Sequence, residues 1–326
     1  MSKARMDAII NGKAHGDVAT KLLACNMDPS GLRTNDLLRK DEWKQYDTAI
    51  VEAVQQRLRV VAALRSRGLV IPLTGGLGTT IYEYEDVSDM DDADVDMDAV
   101  TKGDDDRLNY ELRGLPLPIV HKSYSLNARM IQAARNNGRN LDTSYASAAG
   151  RKVAEKVEDI ACNGLDSFQF ADKVIYGLVD FPSANAGSLT APWDASGAAP
   201  KTDLLNMKQA LIDAGYYGPY MVFAPTAYDT VLDDDYTSNY PKTVRSRLME
   251  MEGILSIDIA DKLTDGHVIM LQATKDVAAI VEGLAVTNVR WDSMGGLKTT
   301  NKVMTIQVPL LRTDQDGSCG IADFAE

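Results

Sequence analysis

Cysteine is scarce in this chain of 326 residues: Cys25, Cys162 and Cys319 are an odd number, far apart, and outside any CxxC or CxxH spacing. That argues against a disulfide framework and a zinc site, and leaves buried or incidental thiols. Histidine is equally rare. His15, His121 and His267 are scattered, with no HExxH and no matched carboxylate nearby. His121 stands in the apolar stretch LPLPIVHK, where a hydrogen-bonded structural role is expected rather than a catalytic one. Positive charge is in deficit, with 34 Lys and Arg against 47 Asp and Glu, a net charge of -13 and a pI near 4.7. A generic nucleic-acid coat needs clustered cations to neutralise phosphates, so that class is disfavoured. Long apolar runs are missing too. No window reaches the length that crosses a bilayer, and the first residues lack the apolar core of a signal peptide. The expectation is a cytoplasmic protein without membrane contact.

Motifs of chemistry are thin. TGGLGTT (Thr74 to Thr80) clusters glycines but lacks the P-loop lysine and the third glycine of a dinucleotide fingerprint, so it reads as a flexible lead-in. GSCG (Gly317 to Gly320) lacks the spacing of a nucleophile elbow and reads as a turn in a tail. No enzyme and no cofactor are expected.

What is present is a scaffold. At 45% hydrophobic the chain can bury a substantial core. LPLPIVHK is extended, because Pro116 and Pro118 remove backbone donors and push their predecessors out of the helical region. Ser125 is placed to cap a helix from Leu126 that ends at Gly138. A long helix follows from Asp142 or Thr143, with Tyr145, Ala149, Val153, Val157 and Ile160 on one face, until Asn163-Gly164 stops it. Upstream, Trp43, Tyr46, Ile50, Val54, Val61 and Leu64 predict a single helix over Asp41 to Arg67, closed by Gly68. Thr79 to Gly114 reads as a hairpin with an acidic tip, and Phe168 to Gly177 as a small one. Pro182 to Pro200 reads as a loop. An α/β segment then carries helices at Asp203 to Ala214, after Pro225 and at Thr243 to Met251, with strands at Tyr220 to Phe223, Ile254 to Ile259, His267 to Leu271 and Val286 to Trp291. Lys298 to Arg312 returns as a strand with Met304, Ile306 and Val308 on one face.

HK followed by a helix, an NG break, LDT, GRKVAEKVED and NG, then YGLVDFPS and YYGPYMVFAPTAYDTVL, resembles the encapsulin-like (linocin-like) branch of the Hong Kong 97-type major capsid proteins of tailed phages. The resemblance covers roughly residues 41 to 312 and rests on several moderate matches in order. It implies an α+β capsid fold: an arm at 1–40, a helix and lead-in at 41–74, an extended-loop hairpin at 75–114, a peripheral domain with a spine helix and following loop at 115–200, an axial domain at 201–296, and a return strand and tail at 297–326. The implied function is an icosahedral shell around a tailed-phage genome, assembled in the host cytoplasm. Its partners would be further copies in pentamers and hexamers, scaffold, portal and decoration proteins, and enclosed double-stranded DNA held without sequence-specific contacts. The alternative is an encapsulin compartment that loads a cargo enzyme. The lead of about forty residues before the first helix, longer than encapsulins usually have, favours the phage reading.

The interface candidates follow from charge and aromatics. Asp92, Asp94, Asp96 and Asp98 alternate as in a calcium loop, but Met97 stands where the turn glycine is needed and Gly103 where the bidentate Glu is needed. An acidic face, solvated or docked on a neighbour's cations, is the better reading. Candidates are therefore Asp92, Asp94 and Asp96 at the tip with Tyr82, Tyr84 and Tyr110 along the ribbon. Arg33, Arg39 and Lys40 are candidates in an arm that is mildly basic, either a solvated tail or a contact with a subunit or DNA. Lys102 is the only lysine of the hairpin, and so the sole loop candidate for the inter-subunit isopeptide bond of some relatives; ion pairs with the adjacent acidic run are the simpler role.

Overall fold

The computed structural model describes residues 40–55, 58–87, 97, 110–136, 143–195, 198–237, 240–293, 297–314 and 317–326. Arg33, Arg39, Asp92, Asp94, Asp96, Lys102, Cys25 and Gly138 lie outside them. In chain order the elements are α1 Lys40–Gln55, α2 Val60–Ser66, β1 Val70–Pro72, β2 Ile81–Val87, β3 Tyr110–Pro116, β4 Val120–Asn127, α3 Ala128–Asn136 and α4 Ser144–Asn163. They continue as β5 Leu165–Phe170, β6 Lys173–Ile175, β7 Asn185–Ser188, α5 Pro200–Asp213, β8 Tyr220–Pro225, α6 Asp229–Leu232, β9 Asp235–Thr237, β10 Tyr240–Thr243, α7 Val244–Met249, β11 Ile254–Ala260, β12 His267–Gln272, β13 Ala278–Ser293, β14 Lys298–Leu311 and β15 Ile321–Ala325. Contacts divide the chain into two units. The first holds the described residues within 1–57, 120–154 and 286–305, the second those within 58–119, 155–285 and 306–326.

In the first unit, β4 runs antiparallel to β14, with Leu126 opposite Thr299 and His121 opposite Met304, and β13 lies on the other side of β14. This ladder corrects the cap reading. Ser125 is a strand residue opposite Thr300, because cross-strand pairing supplies backbone partners through Asn127, and α3 starts only at Ala128, whose N–H donates to the Leu297 carbonyl. The buried face of β14 here is Thr299, Asn301, Val303 and Thr305, so Met304 points the other way, contrary to the expected Met304, Ile306, Val308 face; beyond Thr305 every residue to Leu311 is buried. His121, expected to be hydrogen-bonded inside an apolar strand, is exposed on the outward face. Helix α4 buries Ala149 and Val153 as its periodicity predicts, while Tyr145 is exposed. A close approach sits at Gly150, where a Cβ would lie 3.1 Å from the Ile50 carbonyl oxygen.

The second unit contains a five-stranded sheet in the order β11, β8, β12, β15, β7. Strands β11 and β8 are parallel, β12 is antiparallel to β8 and β15, and β15 is parallel to β7. Two of these strands were not readable. NAGS of β7 falls in a small-residue stretch that the sequence predicts to be loop, and IADFA of β15 in a stretch that it predicts to be tail. Partners make them strands: the Asn185 amide donates to the carbonyls of Cys319 and Ile321 (2.8 and 3.0 Å), and His267 Nδ1 lies 3.0 Å from Asp323. Cys319 and Cys162 are free and buried, as expected. Over the sheet, buried Asp203 in the first turn of α5 accepts from Trp193 Nε1 (2.9 Å) and the Thr190 N–H (3.0 Å), while Trp193 packs on Tyr228 at 5.4 Å between ring centroids.

The expected helix over Asp41 to Arg67 is two helices. Tyr46, Ile50 and Val54 of α1 and Val61 and Leu64 of α2 are buried as predicted, but Leu58 and Arg59 belong to neither helix. The reason lies on α4. Glu158, fully buried, accepts from the N–H groups of Arg59 (3.0 Å) and Val60 through Oε1 and of Val61 (3.4 Å) through Oε2. A helix started there has its orphan donors satisfied by a carboxylate distant in sequence. Burial pushes the Glu158 carboxyl up to about 7, against the lowering effect of those donors. Glu158→Ala leaves the donors unpaired and is expected to cost about 1–3 kcal/mol in unfolding free energy. Because the folded-state pKa is the higher one, proton binding stabilises the fold. This contribution is complete below the unfolded value near 4.5 and is lost as pH rises through about 7. Glu158→Gln should therefore flatten the pH dependence of stability in that window, and urea unfolding across it is the check.

Candidate interface on the two-stranded ribbon

Strands β2 and β3 pair antiparallel from Ile81 opposite Pro116 to Val87 opposite Tyr110. Its root is tight: at Gly76 a Cβ would lie 2.2 Å from the Gly283 carbonyl oxygen, so only glycine fits there. Alternation then gives the ribbon two unlike faces. One carries Tyr82, Tyr84 and Asp86 with Arg113 and is half-buried. Tyr82 and Tyr84 stack at 6.2 Å, and Arg312 lies 5.1 Å from the Tyr84 ring centre. Arg113 pairs with Asp86 (3.2 Å) and Glu111 (3.4 Å) and donates to Thr313 Oγ1 (2.9 Å). Burial raises the Tyr84 hydroxyl pKa, with Arg113 and Arg312 opposing.

The opposite face is open. Glu83 and Glu85 are exposed there, beside Leu112 and Tyr110 at 60% and 63% exposure. An apolar pair so exposed on a thin ribbon has nothing in its own chain to cover it among the described residues. Behind the ribbon, a cavity of about 240 Å³ is lined by Tyr84, Arg113, Lys173, Tyr176, Phe181 and Leu310, among others. Beside it, β5 and β6 form the small hairpin, turned through Ala171 and Asp172 at φ of 51° and 58°.

The structure thus brings Tyr82 and Tyr84 together on the inner face and sets Tyr110 on the outer one. Lys40 begins α1, away from the ribbon in sequence and in the other unit. Arg33, Arg39, Asp92, Asp94, Asp96 and Lys102 lie outside the described residues. Sequence reasoning missed Leu112, which period-two alternation with Tyr110 signals, and Arg113 and Arg312, whose partners come from distant segments. Among the described residues, no group of three or more His, Cys, Asp or Glu side chains is placed to hold a metal ion. No helix among them is long and apolar enough to cross a membrane.

A family of unknown function, DUF6260, matches residues 33–293. The type 1 encapsulin shell protein EncA of Myxococcus xanthus (strain DK1622) is 23% identical over 250 residues, covering 75% of this chain and 76% of that protein. A virus-like particle from Pyrococcus furiosus superposes with a TM-score of 0.61 at 16% identity, over 86% of this chain and 98% of its own. The capsid of Myoviridae phage XM1 does so with a TM-score of 0.61 at 14% identity, over 80% and 90%. At these identities the likeness to solved structures is one of fold. The chain has the α+β fold of the Hong Kong 97-type capsid proteins.

The two ribbon faces predict opposite responses to mutation. Tyr84→Ala removes the stack and the Arg312 contact and is expected to destabilise the isolated chain by about 2 kcal/mol. Tyr110→Ala should stay within about 0.5 kcal/mol of the parent, since its ring is mostly in solvent. Urea unfolding of both variants measures the contrast.

Proposed function

We propose that this chain, which belongs to the DUF6260 family, is a major capsid protein whose copies close into an icosahedral shell around the genome of a tailed phage. The observation that carries the reading is a capsid fold over most of the chain that leaves Tyr110 and Leu112 uncovered on a ribbon. Each copy would contribute several separate contacts, so individually modest interfaces become strong once the shell closes. In this reading the hairpin at 75–114 overlaps a neighbour, and the axial domain around five-fold and six-fold axes, expected at 201–296, also takes in β7 and β15, which share its five-stranded sheet. Lys40, Tyr82, Tyr84, Asp92, Asp94, Asp96 and Tyr110 contribute to contacts between copies. Lys102 is the one hairpin lysine available for a cross-link.

The work is geometric rather than catalytic. Assembly would take place in the host cytoplasm, with scaffold, portal and decoration proteins as partners. Residues 1–40 hold seven Lys and Arg against four Asp, a balance opposite to the rest of the chain, which suits an arm including Arg33 and Arg39 that faces enclosed DNA or a neighbouring subunit. The likeness to EncA supports a second reading, an encapsulin compartment that loads a cargo enzyme. The two are separated by the contents of particles purified from the native source: packaged genome in one case, a single cargo enzyme in the other.

Expressed alone or with its scaffold, the protein is expected to form hollow particles or capsomer rings visible by electron microscopy and as large species in sedimentation. A strictly monomeric protein across concentration, salt and scaffold conditions would sink the shell reading. Deleting residues 1–39 should leave circular dichroism near that of the parent and reduce particle yield, because α1 carries its own apolar stripe.

A further inference from the structure

The cavity behind the ribbon has no part in the shell reading, and its lining is built for chemistry of its own. Strand β6 runs beside β3, and between them, against residues 309–311 at the end of β14, lies the space of about 240 Å³. All of its lining belongs to the second unit. The walls are rings and aliphatic side chains, with Tyr84, Tyr176, Phe181 and Leu310 foremost. Tyr176 and Phe181 meet edge-on, 6.3 Å between centroids and 72° between planes. Pockets for drug-sized ligands fill about 300–1,000 Å³, so this one suits a single ring or branched body with a short substituent.

The polar groups of the lining are unevenly committed. Arg113 is answered by Asp86 and Glu111. Lys173 is not: its stem packs on Gly114, where a Cβ would lie 3.4 Å from its Cε, and its ammonium has no ion pair or hydrogen bond among the described residues. Behind the aromatic wall, Arg312 faces the Tyr84 ring with its Nε buried and without an acceptor. Burial keeps the Tyr84 hydroxyl protonated and therefore a donor. Asp172 is the one carboxylate of the lining, and it is exposed on the turn. That turn, which presents Lys173 to the cavity, holds Ala171 and Asp172 at positive φ, where glycine or asparagine is the usual choice. Backbone strain of this kind collects at functional sites.

We propose that this cavity binds a small organic monoanion, a carboxylate on an aromatic or branched aliphatic body, with Lys173 as its charge partner and Tyr84, Tyr176 and Phe181 around the body. A neutral apolar ligand leaves the ammonium unanswered. A dianion such as a phosphate monoester exceeds the single uncommitted charge of the lining and meets Asp172 at the rim. The inference is independent of the shell reading, because one copy supplies the whole lining.

The test uses the full-length protein, in whatever assembly it forms, with 3-phenylpropionate and benzoate as probes in saturation-transfer NMR and equilibrium dialysis. Binding should be saturable, with a dissociation constant on the order of 1 mM or tighter for ligands of this size. Benzyl alcohol and benzylammonium should bind about fivefold more weakly or worse, since they lack the charge that Lys173 answers. Lys173→Met keeps the stem and removes the charge. It should weaken 3-phenylpropionate by about fivefold and leave benzyl alcohol within about twofold, while Lys173→Arg retains most of the affinity. Val174→Phe, which fills the cavity from its wall, should abolish binding of every probe. Circular dichroism of the Lys173 variants should match the parent, because the side chain is partly exposed.

Absence of saturable binding up to about 20 mM probe would overturn the proposal. So would equal binding of the acid, the alcohol and the ammonium, or undiminished binding by Lys173→Met, each of which removes the charge partner. Displacement of 3-phenylpropionate by an equal concentration of inorganic phosphate would overturn it in favour of a plain anion site. Each of these results leaves the shell reading untouched, and a failure to form particles leaves this proposal untouched.

Discussion

One buried carboxylate sets the course of the chain into its ribbon. Glu158 reaches from α4 to the first N–H groups of α2, and in doing so decides that a helix begins at Val60. From α2 the path is short: Gly68 turns the chain, β1 joins β13 in parallel at Val70 opposite Ile280, and Gly76 passes against Gly283. The ribbon starts from that anchored point. A carboxylate without a cationic partner is a costly thing to bury, and here the cost is offset by backbone donors that would otherwise be unsatisfied themselves. The arrangement works because both groups need each other.

The same economy of polar groups recurs. Asp203 is buried under Trp193 and the Thr190 amide, and Asp292 against Thr299 and Arg290. In each case a carboxylate withdrawn from solvent holds two segments in place. For a protein with so large an acidic excess, the distribution of charge matters more than its total. Exposed acids remain on the outer ribbon face at Glu83 and Glu85, so the molecule presents surfaces of opposite character.

Much of this was legible in the sequence because it rests on local rules. The α4 helix, its stop at Gly164, the ribbon with Tyr82 and Tyr84, and the body of α5 from Asp203 all follow from periodicity, caps and turn residues, although α5 begins at Pro200, which the sequence places in a loop. What escaped depends on partners far along the chain. The break before Val60 needs Glu158; the strand character of Ser125 needs Thr300; β7 and β15 are too short and too weakly patterned to be strands until they find each other beside β12. The same holds for the candidate interface. Its tyrosines announced themselves by type, whereas Arg113 and Arg312 matter only because folding sets them against Asp86, Thr313 and Tyr84.

The position of β15 has a consequence for how the molecule is made. Residues 321–325 are synthesised after every other strand of the five-stranded sheet, yet they sit inside it, between β12 and β7. Until they leave the ribosome, both neighbours keep an open edge, and the sheet cannot close however long the earlier segments have been available. A chain broken off before Ile321 carries every preceding element and still lacks the strand that joins β7 to the rest. Translation order thereby sets when the sheet can close: β12 and β7 carry unpaired edges for as long as residues 321–325 are missing.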